Sequence, residues 1–266
     1  SYTVQQRTEA ITTNETSILQ SLTQPLIAQD VWDQLSGDEF MTNPNIIAEL
    51  LDALATTGER VARNDQSDEW IEWSMNNNNP GNLQDGDIHV WTGRPKRKDC
   101  FGSQLPIVKT RSILPLSVKE MVNLVMDSDK VKIYNPWSLG RTDCWKYDDC
   151  TKIVKNRVQP PIGSKVLVST TLLHARPLLS DQASWIIVSR AVGGTYFSDD
   201  ETANASHILL GVNLIEHIDD EDSCRLTAVT HAYSESVPNM LAARLGVKSA
   251  IKFVKDMRKL KVGVTE

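Results

Sequence analysis

The chain has 266 residues, 40% hydrophobic and 23% charged, an ordinary globular balance and a length that allows a core with a cavity inside it. One large domain, or one domain with an extension, is the expected organisation. A net charge of −6 and a pI near 5.4 argue against a nucleic-acid partner, because neutralising phosphates needs a basic surface.

Residues 1–43 are rich in Thr, Gln, Ser and Asn and read as an extension that packs loosely or caps a domain spanning 44–266. Asn43-Pro44 opens a helix, since Asn suits the N-cap and Pro the first helical position. Ile46, Ile47, Leu50, Leu51, Leu54 and Val61 keep helical spacing, and the helix ends near Arg63-Asn64. Strands are expected at 70–75, 87–92 and 106–114, the first two joined by a polar turn with four consecutive Asn, Pro80 and Gly81. Ser117, with Glu120 three residues on, writes a capping box, and Val118, Met121, Val122 and Val125 form the buried stripe of the helix it starts. Further strands are expected at 151–158, 165–176, 185–192, 207–217 and 224–233, and a last helix at 236–261. An antiparallel sheet with helices segregated to one face is an α+β layer architecture, and a strongly curved sheet around one long helix leaves a cavity between them.

Acidic residues cluster at 199–201 and 219–222, basic ones at 94–98 and 244–261. A locally basic end on an acidic chain suits transient contact with an anionic membrane surface; solvated faces of a loop and a helix are the plainer alternative. Four cysteines without CxxC spacing (Cys100, Cys144, Cys150 and Cys224) point to free thiols in a reducing, cytoplasmic setting rather than a disulfide scaffold. No Gly-rich phosphate loop, metal-ligand cluster or pair of catalytic carboxylates stands out, so neither a cofactor nor an enzyme is expected. His174 and His217 read as hydrogen-bonded strand residues, and Trp70, Trp73, Trp91 and Trp185 as core.

Four stretches, in order, carry a resemblance: GDIHVWTGRP followed by LPIVKTRSILPLSVKEMVNLVMD, then YNPW at 134–137, TTLLHAR at 170–176, and VPNMLAARLGVKSAIKFVKDMRKL near the end. Together they resemble the START domain, the steroidogenic-acute-regulatory-protein-related lipid-transfer module, over residues 70 to 260. Two departures mark a divergent member: Thr170-Thr171 replaces the family's Arg-Asp pair, and a loop carries Pro160-Pro161.

The resemblance implies a helix-grip fold, with the curved antiparallel sheet wrapped on the C-terminal helix. It also implies non-enzymatic binding and transfer of one lipid, sterol or carotenoid. Met240, Val247, Ile251 and Val254 become the cavity roof, and Tyr134 and Trp137 neighbours of the ligand. Gly246 becomes a hinge position, and Pro160, Pro161, Ile162 and Gly163 a gate loop. Lys248, Lys252 and Lys255 become membrane contacts. Arg176 matches a cavity arginine of sterol carriers; alternation places Leu172 and His174 on its face, with Glu216 as a candidate partner. Alternatively, Arg176 ends its strand in solvent beside Pro177. A ligand-sensing module of a larger protein, or a cyclase or hydrolase on a related helix-grip fold, remain the other functional readings.

Overall fold

The computed structural model describes residues 29–36, 41–76, 83–97, 105–159, 166–193, 204–220, 222–234 and 239–260. In chain order the elements are α1 (Gln29–Leu35), α2 (Pro44–Arg63), β1 (Ile71–Met75), β2 (His89–Pro95), β3 (Ile107–Leu114), α3 (Val118–Met126) and α4 (Val131–Tyr134). They continue with β4 (Ser138–Lys146), β5 (Thr151–Val158), β6 (Leu167–Pro177), β7 (Trp185–Ala191), β8 (Asn204–Ala205), β9 (His207–His217), β10 (Cys224–Tyr233) and α5 (Asn239–Lys259).

The strands form one curved sheet in the order β1-β2-β3-β10-β9-β7-β6-β5-β4, antiparallel throughout, with the short β8 parallel to β6. β10 closes the topology by pairing with β3, so the last strand joins the first three to the meander.

Local chemistry sets the helix starts. The Asn43 side chain accepts from the Asn45 backbone N–H at 3.1 Å, with Pro44 in the first turn behind it. At α3 the Ser117 and Glu120 side chains cap each other's backbone N–H groups. β4 was not expected from the sequence. It is an edge strand with residues 142–146 exposed and irregular register against β5, so it shows no apolar alternation.

Helices cover both faces of the sheet rather than one. α2 buries Ile46, Leu50 and Leu54 against one face, joined by Trp32, Leu35 and Met41 from ahead of Asn43. Gly58 lets α2 lie close: a Cβ there would come within 2.7 Å of Val188 Cγ1. The opposite face packs Leu114, Leu173, Ile187 and Leu226 against α3 and α5. Burial of six consecutive residues of β6, 168–173, follows from this double cover, since both sides of the strand are shielded from water.

Candidate functional site

Between the second face of the sheet and α5 lies a cavity of about 520 Å³, within the 300–1,000 Å³ range usual for small-molecule sites. Its floor is the middle of the sheet, with Thr110 from β3, Ala228 and Thr230 from β10, Gly211 and Asn213 from β9, and Ser189 from β7. Its roof is α5, through Ala242, Leu245, Ser249, Ala250 and Phe253.

One wall is the YNPW turn. The Asn135 carboxamide oxygen accepts from the Trp137 N–H at 3.2 Å, and the Gln159 N–H donates to the Trp137 carbonyl at 2.8 Å, which fixes the corner between α4 and β4 against the end of β5. Tyr134 meets Phe253 of the roof edge-on. Its hydroxyl lies 3.4 Å from Arg141 Nη1, while Arg141 Nη2 donates to the Val125 carbonyl at 2.7 Å and ties down the end of α3. Burial raises the Tyr134 pKa and the Arg141 charge only partly offsets it, so the phenol stays a neutral donor.

α5 is moored at its far end by Arg258, which donates to the carbonyls of Gly86 at 2.7 Å and Asp87 at 2.6 Å and to Ser112 Oγ at 2.6 Å. Gly246 sits over β3, where an added Cβ would approach Val108 Cγ2 to 3.0 Å. This glycine serves close packing of roof on sheet. Lys252 and Asp256 pair along the roof and both line the cavity. Burial works against the Asp256 carboxylate, but hydrogen bonds from Lys252 and Lys259 outweigh it and hold its pKa below the ordinary range.

Of the residues singled out in the sequence, Tyr134 and Trp137 line the cavity. Val254 is buried beside Met257 in the apolar cluster at its edge rather than in the roof itself. Val247 and Ile251 face the other way, into a shallow groove with Asn76 and Thr92. The cavity-facing stripe of α5 is thus rotated from the one expected, because the close contact at Gly246 sets the helix's orientation. Lys252, expected at a membrane, turns into the cavity wall, while Lys248 and Lys255 are exposed. Met240 belongs to the first turn of α5 with its side chain outside the described part, and Pro160, Pro161, Ile162 and Gly163 lie outside the described residues.

Leu172, His174 and Arg176 do share a face, but it is the α2 face, which corrects their expected position in the cavity. Leu172 is packed in the α2-side core, and Arg176 pairs with Asp52 of α2. Glu216 does not meet Arg176; it pairs with Arg63 of α2 at 2.7 Å, with Arg225 at 3.9 Å. His174 Nδ1 lies 2.9 Å from Thr151 Oγ1. Burial, then the Arg176 charge, push its pKa down to about 4, so the imidazole is neutral.

Sequence reading missed Thr110, Ser189, Gly211 and Asn213. The available signal was small and polar residues inside otherwise apolar strands, as in the GVN of HILLGVNLIEH. Among the described residues no group of three or more His, Cys, Asp or Glu is placed to hold a metal ion.

By sequence, no protein-family model and no curated protein matches the chain. By structure it is similar to human StAR-related lipid transfer protein 5, with TM-score 0.64 and 10% identity over 81% of this chain and 96% of that one. It is similar also to human STARD10, with TM-score 0.60 and 15% identity over 77% and 80% of the two chains. The lipid transfer and protein localization domain of human StarD13 aligns with TM-score 0.56 and 13% identity over 71% and 90%. With its sheet, its terminal helix and the cavity between them, the chain has the START helix-grip fold in a divergent form.

Proposed function

We propose that this protein binds one apolar or amphiphilic molecule between sheet and α5 and carries it between membranes without chemically changing it. The observation that carries the reading is the cavity of about 520 Å³, with aliphatic and aromatic side chains from α4, α5 and β9 around a small set of polar groups. Apolar burial at about 25 cal/mol per Å² is the driving term for uptake. Two structural relatives, a StAR-related lipid transfer protein and a lipid transfer and protein localization domain, support the same reading. His174 packs on the α2 side of the sheet, away from the cavity, and His217 ends β9 in solvent.

We further infer a cytoplasmic, membrane-peripheral working place. The outer side of α5 presents Ala243, Val247 and Ile251 beside exposed Arg244, Lys248 and Lys255. That combination suits brief contact with an anionic bilayer, each cation contributing about 1 kcal/mol near the surface. No helix among the described residues is long and apolar enough to cross a membrane.

Native mass spectrometry after incubation with mixed-lipid vesicles tests the proposal. One added mass per chain, transferable to fresh vesicles unchanged, is the expected result. A folded protein that stays empty across sterol, phospholipid and carotenoid mixtures overturns it.

A further inference from the structure

The cavity floor carries hydrogen-bonding groups that the fold itself does not use. Thr110 is 1% exposed, lines the cavity, and its Oγ1 has no hydrogen-bond partner. The side chains of Asn213 and Ser189 line the same floor and make no hydrogen bond among the described residues. A buried polar group without a partner is costly, and the Thr110 hydroxyl marks a place where something else satisfies it, with the half-buried Asn213 and Ser189 side chains beside it.

The register places these groups together. Thr110 of β3 pairs with Ala228 of β10, and Ala228 with Asn213 of β9, so Thr110 and Asn213 stand in one cross-strand row about 10 Å apart. Between them Ala228 offers only a methyl group. Ser189 of β7 lies opposite Gly211, diagonal to Asn213 and about 7 Å from it. A Cβ added at Gly211 would come 2.2 Å from Ser189 Oγ, so any side chain there would push that hydroxyl aside.

All three groups are neutral. The cation that lines the cavity among the described residues, Lys252, is already paired with Asp256 four residues on. A phosphate or carboxylate over the floor would be stripped of water with no free countercharge from these groups.

We infer that the Thr110–Asn213–Ser189 floor selects an uncharged amphiphile bearing a hydroxyl or carbonyl oxygen, and discriminates against phosphate- and carboxylate-bearing lipids. This rests on the carrier reading and names its ligand class. An oxygen above Ala228 receives a hydrogen bond from the Asn213 amide or the Thr110 hydroxyl, and the hydrocarbon part fills the space under α5.

The test titrates the full chain with hexadecanol, hexadecane, palmitate and dioleoylphosphatidylcholine vesicles, reading bound mass by native mass spectrometry. Hexadecanol is expected to bind about tenfold more tightly than hexadecane, and palmitate and the phospholipid more weakly than hexadecanol. Thr110→Val, which keeps the shape, and Asn213→Leu are each expected to erase most of the alcohol's advantage while retaining hexadecane. A thermal melt accompanies each variant; if Asn213→Leu does not fold, Thr110→Val alone decides. Equal affinity for alcohol and alkane, or preference for palmitate or phospholipid, overturns the selectivity and leaves the carrier reading intact. Binding of none of the four overturns both.

Discussion

The Tyr134 ring meets the Phe253 ring edge-to-face, centroids 5.9 Å apart and planes at 83°, and both rings line the cavity. This contact joins α4 to the roof at one end of the site. Such pairs contribute about 0.5–1.5 kcal/mol beyond their buried area. Phe253→Leu should therefore weaken closure, speeding ligand release severalfold in a vesicle-transfer assay with a fall in melting temperature of only a few degrees. Unchanged transfer kinetics would mean that exchange occurs elsewhere.

Filling the roof separates cavity from core. Ala250 lines the cavity, so Ala250→Trp should abolish uptake in native mass spectrometry and leave the circular dichroism spectrum unchanged. Val254 is 1% exposed and packed beside Met257, so Val254→Trp should instead overpack the core, with a cost of about 1–3 kcal/mol or more. Urea denaturation of the two variants distinguishes the sites.

Arg176 and Asp52 pair on the α2 side of the sheet, away from the cavity. Arg176→Gln is expected to leave ligand affinity within about twofold, because its ion pair is partly exposed and worth about 1 kcal/mol at most. A tenfold loss of affinity would place Arg176 in communication with the ligand.

Asp65 binds two cations at once: Lys109 Nζ at 2.9 Å and Arg111 Nη1 at 2.6 Å. Lys109 is fully buried beneath Trp73 and Trp91, and burial pushes its pKa down to about 8 despite Asp65. Asp65→Ala leaves a buried ammonium without its counterion and should destabilise by about 3–5 kcal/mol. Lys109→Met, which removes the buried charge and leaves Arg111 on Asp65, should cost less than half of that in the same urea titration.

Acid should loosen the α2 side before the ordinary carboxylates protonate. Burial holds the His174 pKa down at about 4 against an ordinary 6.5, so between those values the unfolded chain binds more protons than the folded one. The stability contributed by the neutral imidazole is complete above about pH 6.5 and is lost as pH falls towards 4. The melting temperature should drop across that window, and His174→Gln should flatten part of the drop. An unaltered slope in the variant would assign the effect to other groups, such as buried His231, whose pKa burial also lowers to about 4.

What this sequence determined by itself was short-range. The Asn43-Pro44 start, the Ser117–Glu120 box and the strands β5, β6, β7, β9 and β10 depend on bonds and alternation within a few residues, and the structure shows each close to its expected place. β4 escaped notice because an exposed, irregular edge strand has no buried side to imprint a period. Only the tertiary structure decided which layer covers which face. Alternation shows that Leu172 and Arg176 point the same way, but both faces of this sheet are covered, and contact with α2 settles which way that is. α5 likewise has more than one apolar side: Val254 and Met257 meet the core, Leu245 and Phe253 the cavity, and Val247 and Ile251 an outer groove. The approach of Gly246 to Val108 fixes that rotation, and a contact between residues 138 positions apart leaves no trace in local periodicity. Nor does the meeting of Thr110, Ser189 and Asn213, which pairing across four neighbouring strands assembles from separate parts of the chain.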